Sequence, residues 1–235
     1  YGNYPSYYTR RHGQAESIDP RLALLPQEWF RGKRVLDIGC NAGHLTVDLA
    51  MHYGPQSILG VDLDRELIRK AWAHVRHRYS TLAPAVAAQA VPSLEDRSYF
   101  PSCFPRLLGT IPLPPHPLNW EDNGPRLFPR NIRFQTVDWI VDSRGETEEE
   151  GAYDVILCLS VAKWIHLHHG DKGIRRLFDR AFRSLAPMGR FILEPQAWST
   201  YARRAKMSPK MQQNYDGIQL KPDDFVRVLV EQVGF

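Results

Sequence analysis

The chain has 235 residues, 43% hydrophobic and 24% charged, with a formal net charge of +4. That is enough for one α/β domain with a sizeable core, and the modest charge permits a polyanionic partner without demanding one. No apolar run approaches the 18 residues of a membrane-spanning helix, and of three cysteines (Cys40, Cys103, Cys158) at no metal-like spacing, Cys40 and Cys158 read as buried thiols of a reducing compartment.

Residues 1–30 read as an N-terminal arm and an entry helix. The arm interleaves Tyr4, Tyr7 and Tyr8 with Arg10, Arg11 and His12. Rings and guanidinium groups in that order suit a nucleic-acid strand, by stacking and phosphate pairing; equally, the tyrosines can pack on the domain and leave the arginines in water. Asp19-Pro20-Arg21 predicts the start of a short helix, and Pro26–Phe30 a turn into the first strand. Val35, Leu36 and Ile38 predict a buried parallel strand, and Gly39-Cys40-Asn41-Ala42-Gly43 a tight turn into a helix over His44–His52. Roughly 20 residues on, Ser57–Val61 predicts a second strand ending in Asp62, whose carboxylate can accept both hydroxyls of a ribose. Gly39 and Gly43 allow backbone N–H groups to approach a ligand. Asp37 stands where a dinucleotide pyrophosphate would be repelled, and suits a ligand with a positive end.

Arg65–Tyr79 predicts a helix with Leu67, Ile68, Ala71, Trp72 and Val75 on one face. Its Arg65, Arg69, Lys70, Arg76, His77 and Arg78 are expected to form a solvated basic face, with a distant phosphate contact as the alternative. Residues 83–130 hold ten of the eighteen prolines and read as a surface insertion, expected to lack regular structure for much of its length and to be no second domain. Asn131–Thr136 predicts the third strand; Asp138 and Trp139 after it are placed to meet a purine amine and ring. Ser143–Gly151 reads as a solvated acidic loop.

Tyr153–Leu159 is the expected central strand. Lys163, Trp164, His166, His168 and His169 crowd the segment after it. His-x-His-His lacks a partner Cys or a spaced carboxylate set, so no metal is expected. Lys163 and His166, three residues apart, would share one helical face; a carboxylate pairing Lys163 and a helix-capping His166 is the bland alternative. A helix is expected over Gly170–Leu185, then a turn at Pro187-Met188-Gly189, a fifth strand at Arg190–Leu193, a basic segment at Arg203–Lys210 and a helix over Pro222–Val233 opened by Pro222 and Asp223. The expected architecture is therefore α/β: a doubly wound, mostly parallel sheet with helices on both faces, in one domain over 1–235. A complete sheet of this type adds two antiparallel strands, expected to be missing from this chain.

The Asp37-x-Gly39-x-Asn41-x-Gly43 turn with Asp62 resembles the first motif of the class I, Rossmann-like S-adenosylmethionine methyltransferases. Further blocks are Tyr1-Gly2-Asn3-Tyr4 with Tyr7-Tyr8, Leu157-Cys158-Leu159-Ser160 with Lys163-Trp164-Ile165-His166-Leu167, Leu193-Glu194-Pro195-Gln196 with Trp198, and Gln219-Leu220-Lys221-Pro222. Together they resemble the methylphosphate capping enzymes, the bicoid-interacting RNA methyltransferases. The resemblance implies methylation of the 5′-terminal (γ) phosphate of a small non-coding RNA, or of a 5′-monophosphate in one branch. It implies S-adenosylmethionine as cofactor, S-adenosylhomocysteine as product and a nuclear setting, with neither membrane nor DNA as partner. Cofactor contacts are implied at Tyr8, Arg21, Asp37, Gly39, Cys40, Asn41, Gly43, Asp62, Leu63, Asp138, Trp139 and Leu159. RNA or 5′-phosphate contacts are implied at Tyr4, Tyr7, Arg10, Arg11, Lys163, His166, Gln196, Trp198 and Lys221, with Lys163, His166 and Tyr8 closest to the chemistry. Two other readings stay open: a ribonucleoprotein subunit that holds its RNA, beside other RNA-binding proteins, with catalysis secondary or lost, and a small-molecule methyltransferase.

Overall fold

Arg34–Ile38 form β1, buried from Val35 onward, in a computed structural model that describes residues 19–82, 99–115, 127–141 and 150–235. The described residues form two compact units, one ending at Val137 and the other running from Asp138 to Phe235.

In the first unit, β1 is followed by α1 (His44–His52), β2 (Ser57–Asp62), α2 (Arg65–Thr81), α3 (Cys103–Leu108) and β3 (Ile132–Thr136). β1 pairs with β2 and β2 with β3, both in parallel, with Val35 opposite Ile58 and Ile58 opposite Ile132. Every residue of α1 after His44 is buried, so this helix lies inside the unit and not on its surface. α2 begins at Asp64, whose carboxylate accepts from the N–H groups of Glu66 and Leu67, a standard N-cap. Its buried stripe includes Leu67, Ile68, Ala71 and Val75, four of the five residues expected on that face. Arg65, Arg69 and Lys70 are exposed as expected. Arg78 is not: it turns inward to Asp48 at 3.6 Å and lies 3.4 Å from the His52 ring.

Asp19 caps the 3-10 turn Pro20–Leu24 by accepting from Arg21 N–H, and Gln27–Trp29 form a second such turn. The Tyr53 hydroxyl fastens the first of these by donating to Leu22 O at 2.6 Å. Part of the expected proline-rich insertion lies outside the described residues; its described part, 99–115 and 127–130, is mostly irregular. It does contain the six-residue α3, and it is tied to the end of α2 by Phe100 N–H donating to Thr81 O and Ile111 N–H donating to Ser80 Oγ.

The second unit holds β4 (Tyr153–Leu159), α4 (Ala162–Ser184), β5 (Leu185–Glu194), α5 (Tyr201–Ala205), α6 (Pro209–Gly217) and α7 (Phe225–Val228). β4 and β5 are parallel, with Ile156 opposite Phe191. The expected turn at Pro187–Gly189 lies inside β5 as an irregularity in register between Tyr153 and Val155. Met188 sits there at φ 64°, and a Cβ on Gly189 would come within 2.8 Å of Ala186 O. α4 starts eight residues before the expected helix because the Lys163–His169 segment is itself helical; Gly170, at φ 64° and ψ −164°, breaks it. The expected helix over Pro222–Val233 is a composite: a 3-10 turn Pro222–Asp224, then α7, then a π turn Leu229–Val233. Within the first unit the strand order is β3-β2-β1, and in the second β4 pairs with β5, all in parallel, as the sequence predicts for an α/β fold. Cys40 and Cys158 are buried thiols and Cys103 is exposed.

Candidate active site

The turn after β1 is built from backbone geometry. Gly39, Asn41 and Gly43 have φ of 73°, 55° and 72°, the left-handed region that glycine enters at little cost and asparagine tolerates. Gly39 and Cys40 N–H both donate to Val61 O, holding the turn against the end of β2. Asp62 supplies the side-chain half of that link. Its Oδ2 accepts from Asn41 N–H at 3.0 Å and its Oδ1 from Asp64 N–H at 2.9 Å. Each oxygen keeps a further lone pair. Burial pushes the Asp62 carboxyl up, and the N–H groups of Asp64, Asn41 and Leu63 oppose it by favouring the charged form. Gly43 opens α1 without a side-chain cap.

Asp37 lies within β1, 4% exposed, and accepts from the Thr46 hydroxyl at 2.6 Å. Burial pushes its carboxyl up to about 6, against the Thr46 hydrogen bond and the Arg21 charge. Arg21 itself is held by Asp19, Nε on Oδ1 at 3.0 Å and Nη2 on Oδ2 at 2.7 Å. Leu63, directly after Asp62, is 39% exposed. Phe134 of β3 has no conspicuous sequence signal, yet it fixes two glycines. A Cβ on Gly43 or on Gly60 would come within 2.7 Å of its ring.

The second unit carries a cluster built from side chains. Ser160, at φ 59°, ends β4. Its hydroxyl donates to Glu194 Oε2 at 2.6 Å and its N–H to Glu194 O. Gln196 Oε1 accepts from Lys163 N–H at 3.0 Å, and its Nε2 donates to Ser160 O. Lys163, 8% exposed, donates from Nζ to Thr200 Oγ1 at 3.1 Å; the ammonium also lies over the Trp164 ring at 5.6 Å. No carboxylate pairs with it among the described residues, so the expected ion-pair alternative is set aside. Burial lowers its pKa.

Lys163 and His166 do not share an open face. His166 is 0% exposed: its Nε2 meets Asp171 Oδ1 at 2.9 Å, and its ring packs on Tyr201 and Phe225. Nor does it cap a helix. Asp171 uses its other oxygen to accept from Gln219 and Leu220 N–H, so the pair ties α4 to the 219–220 segment across the Gly170 break. Asn214 adds to that tie by donating to Leu167 O and His168 O.

The other expected RNA contacts are engaged within the unit. Both ends of the Gln196 amide are used. Trp198 stacks on Tyr215 with centroids 4.9 Å apart and an interplanar angle of 13°, while Lys221 Nζ stands 3.5 Å from the Trp198 centroid. Trp139 is buried with the Arg180 guanidinium over its ring at 4.4 Å. Asp138 Oδ2 lies 3.4 Å from His169 Nε2, a contact that lowers its pKa. Leu159 closes β4, half-buried. Tyr4, Tyr7, Tyr8, Arg10 and Arg11 lie outside the described residues. Thr200, Asp171 and Phe134 are the functional or supporting residues that sequence reasoning missed; only Thr200 had a signal, its place just beyond the Glu194–Trp198 block.

Residues 153–235 match the family model for bicoid-interacting protein 3 (Bin3), and residues 35–99 match a methyltransferase domain model. Over its full length the chain is 40% identical to the human 7SK snRNA methylphosphate capping enzyme, covering 35% of that protein. It is 35% identical to a probable RNA methyltransferase of Arabidopsis thaliana, covering 72% of it, and 34% identical to the U6 snRNA methylphosphate capping enzyme of Drosophila melanogaster, covering 66%. The chain thus spans about a third of the human relative's length and about two thirds of the fly one's.

Proposed function

The chain belongs to the bicoid-interacting protein 3 family, and on that premise we propose that it is an S-adenosylmethionine-dependent RNA methyltransferase whose acceptor is the 5′-terminal phosphate of a small non-coding RNA. The observation that carries the acceptor class is Lys163: a buried residue whose ammonium is held by a hydroxyl and by no carboxylate among the described residues. A buried cation without a counter-charge is costly by itself and is stabilised when an anion arrives.

The residues of the first unit suit the cofactor. Asp62 has lone pairs for both ribose hydroxyls and is pre-oriented by Asn41 and Asp64 N–H. Asp37 offers a carboxylate to a cationic amino acid end. The α1 terminus lacks a side-chain cap and leaves backbone N–H groups for a ligand. The cofactor, when bound, supplies an electrophilic methyl on a sulfonium. A terminal phosphate oxygen is already anionic near neutral pH, so no strong general base is required of the protein. What the second unit contributes is charge: Lys163 offsets the negative charge gathered at the RNA terminus. Family relatives named for snRNA capping suggest a nuclear RNA and a ribonucleoprotein setting. The test compares labelled methyl transfer to one RNA bearing a 5′-triphosphate, a 5′-monophosphate or a 5′-hydroxyl. Label on the phosphorylated forms alone is expected; equal labelling of the 5′-hydroxyl RNA overturns the proposal, and label on a phosphate-free small molecule without RNA points to the other enzyme class.

A further inference from the structure

We propose that Gln196 and Thr200 are the positioning residues of Lys163, one holding its backbone and the other its ammonium; this rests on the phosphate role proposed for that lysine. α4 begins after Val161 with no side-chain cap of its own, and a helix start leaves four N–H groups unpaired. Gln196, 33 positions away, fills the gap: its Oε1 takes the Lys163 N–H while its Nε2 donates to Ser160 O. One planar amide thereby fixes both ends of the 160–163 turn. Ser160 is strained at φ 59°, and Glu194 holds it by two further hydrogen bonds. The start of α4 is set from outside, by the segment after β5.

The ammonium end follows the same plan. Thr200 Oγ1 donates its only hydrogen to Ala197 O at 2.7 Å. Its lone pairs are left to accept, and Lys163 Nζ donates to them. An ammonium has three N–H groups. One is spent on Thr200, and two remain for oxygens of a terminal phosphate. A neutral hydroxyl fixes the group without neutralising it, which a carboxylate partner would do. Residues 196 and 200 therefore set where the charge sits and leave it available.

Three variants of the full chain test this: Thr200→Val, Thr200→Ser and Lys163→Met. Each is read for kcat and KM on 5′-triphosphorylated RNA, for S-adenosylhomocysteine affinity by calorimetry, and for Tm. Thr200 is exposed, and its valine variant keeps the shape while losing the hydroxyl. Thr200→Val is expected to lower kcat roughly tenfold or more, up to the ~100-fold of a catalytic contact displaced by about 1 Å, with cofactor affinity unchanged and Tm lowered by a few degrees at most. Thr200→Ser is expected to restore the parental rate. If Thr200→Val is as active as the parent while Lys163→Met is impaired, the positioning role is wrong and the phosphate reading stands. If Thr200→Ser is as weak as Thr200→Val, the hydroxyl is not the working group and the proposal also falls. If Lys163→Met methylates the RNA as fast as the parent, the phosphate reading fails and the inference with it.

Discussion

The turn after β1 and the turn after β4 both leave a strand through left-handed backbone, Gly39 at 73° and Ser160 at 59°, and both lead into a helix without a side-chain cap at its own N-cap residue. They then diverge. After β1, the turn is closed by backbone N–H groups and by Asp62, and no side chain caps the start of α1. After β4, Gln196 reaches across to take a helix N–H, and the charge on offer is a lysine. The first turn presents acceptors and backbone donors, which suit a ligand with hydroxyls and a positive end. The second presents a cation, which suits an anion. One strand–turn–helix scheme is given opposite polarity by what caps it.

The comparison breaks most severely at Gly43. A Cβ there would meet the Phe134 ring at 2.7 Å and Ala71 Cβ at 2.8 Å, on a backbone at φ 72°. A left-handed non-glycine residue costs about 1–2 kcal/mol, and overpacking adds about 1–3. Gly43→Ala is expected to lower Tm by roughly 5–15 °C in a chain of this size, read by calorimetry. A Tm within error of the parent would show that the ring moves aside freely. No such clash attends the 160–163 turn, where the strained residue is already a serine.

A paired measurement sharpens the contrast. Asp62→Ala removes two ribose contacts at about 1–2 kcal/mol each, and should weaken S-adenosylhomocysteine binding by roughly 2–4 kcal/mol. Lys163→Ala loses a charge-assisted phosphate contact of about 1.5–3 kcal/mol, and should lower kcat/KM on triphosphorylated RNA roughly 10–100-fold with cofactor affinity kept. If both variants lose both properties equally, the two turns are not functionally separate.

These two regions also differ in how far the sequence exposes them. Strand, turn, helix and Asp62 after β1 depend on neighbours in the chain and on one fixed spacing, so β1, α1, β2 and the glycine turn are readable by period and pattern alone. The second region depends on contacts 33 to 49 residues apart: Lys163 with Gln196, and Leu220 with Asp171. No local pattern distinguishes a glutamine that meets RNA from one that caps a helix, and Gln196, Trp198 and Lys221 all prove to be engaged within their own unit. His166 shows the same limit. Spacing puts it on a helix with Lys163, but only packing against Tyr201 and Phe225 shows that its ring faces inward. The Phe134 contact with Gly43 and Gly60 was hidden for the same reason, since it crosses from β3 to two other elements.

The smallest expected effect concerns Asp37, which is both a buried carboxylate and the proposed partner of a cationic group. A carboxyl raised from 3.8 to about 6 is ~3 kcal/mol harder to ionise in the folded chain. Between those two values the folded state binds more protons than the unfolded one, so stability falls as pH rises through that window and stays low at pH 7. Asp37→Asn removes the charge and lets the Thr46 hydroxyl still donate to an amide oxygen, while the buried amide keeps part of the desolvation cost. About half the penalty should be recovered, roughly 1–2 kcal/mol, raising Tm by a few degrees at pH 7.5 in the absence of cofactor. At pH 4, where the folded carboxyl is protonated, the gain should vanish. The same variant should bind S-adenosylhomocysteine more weakly at pH 7.5. A variant that gains stability equally at both pH values would show that ionisation of Asp37 is not the source of the cost.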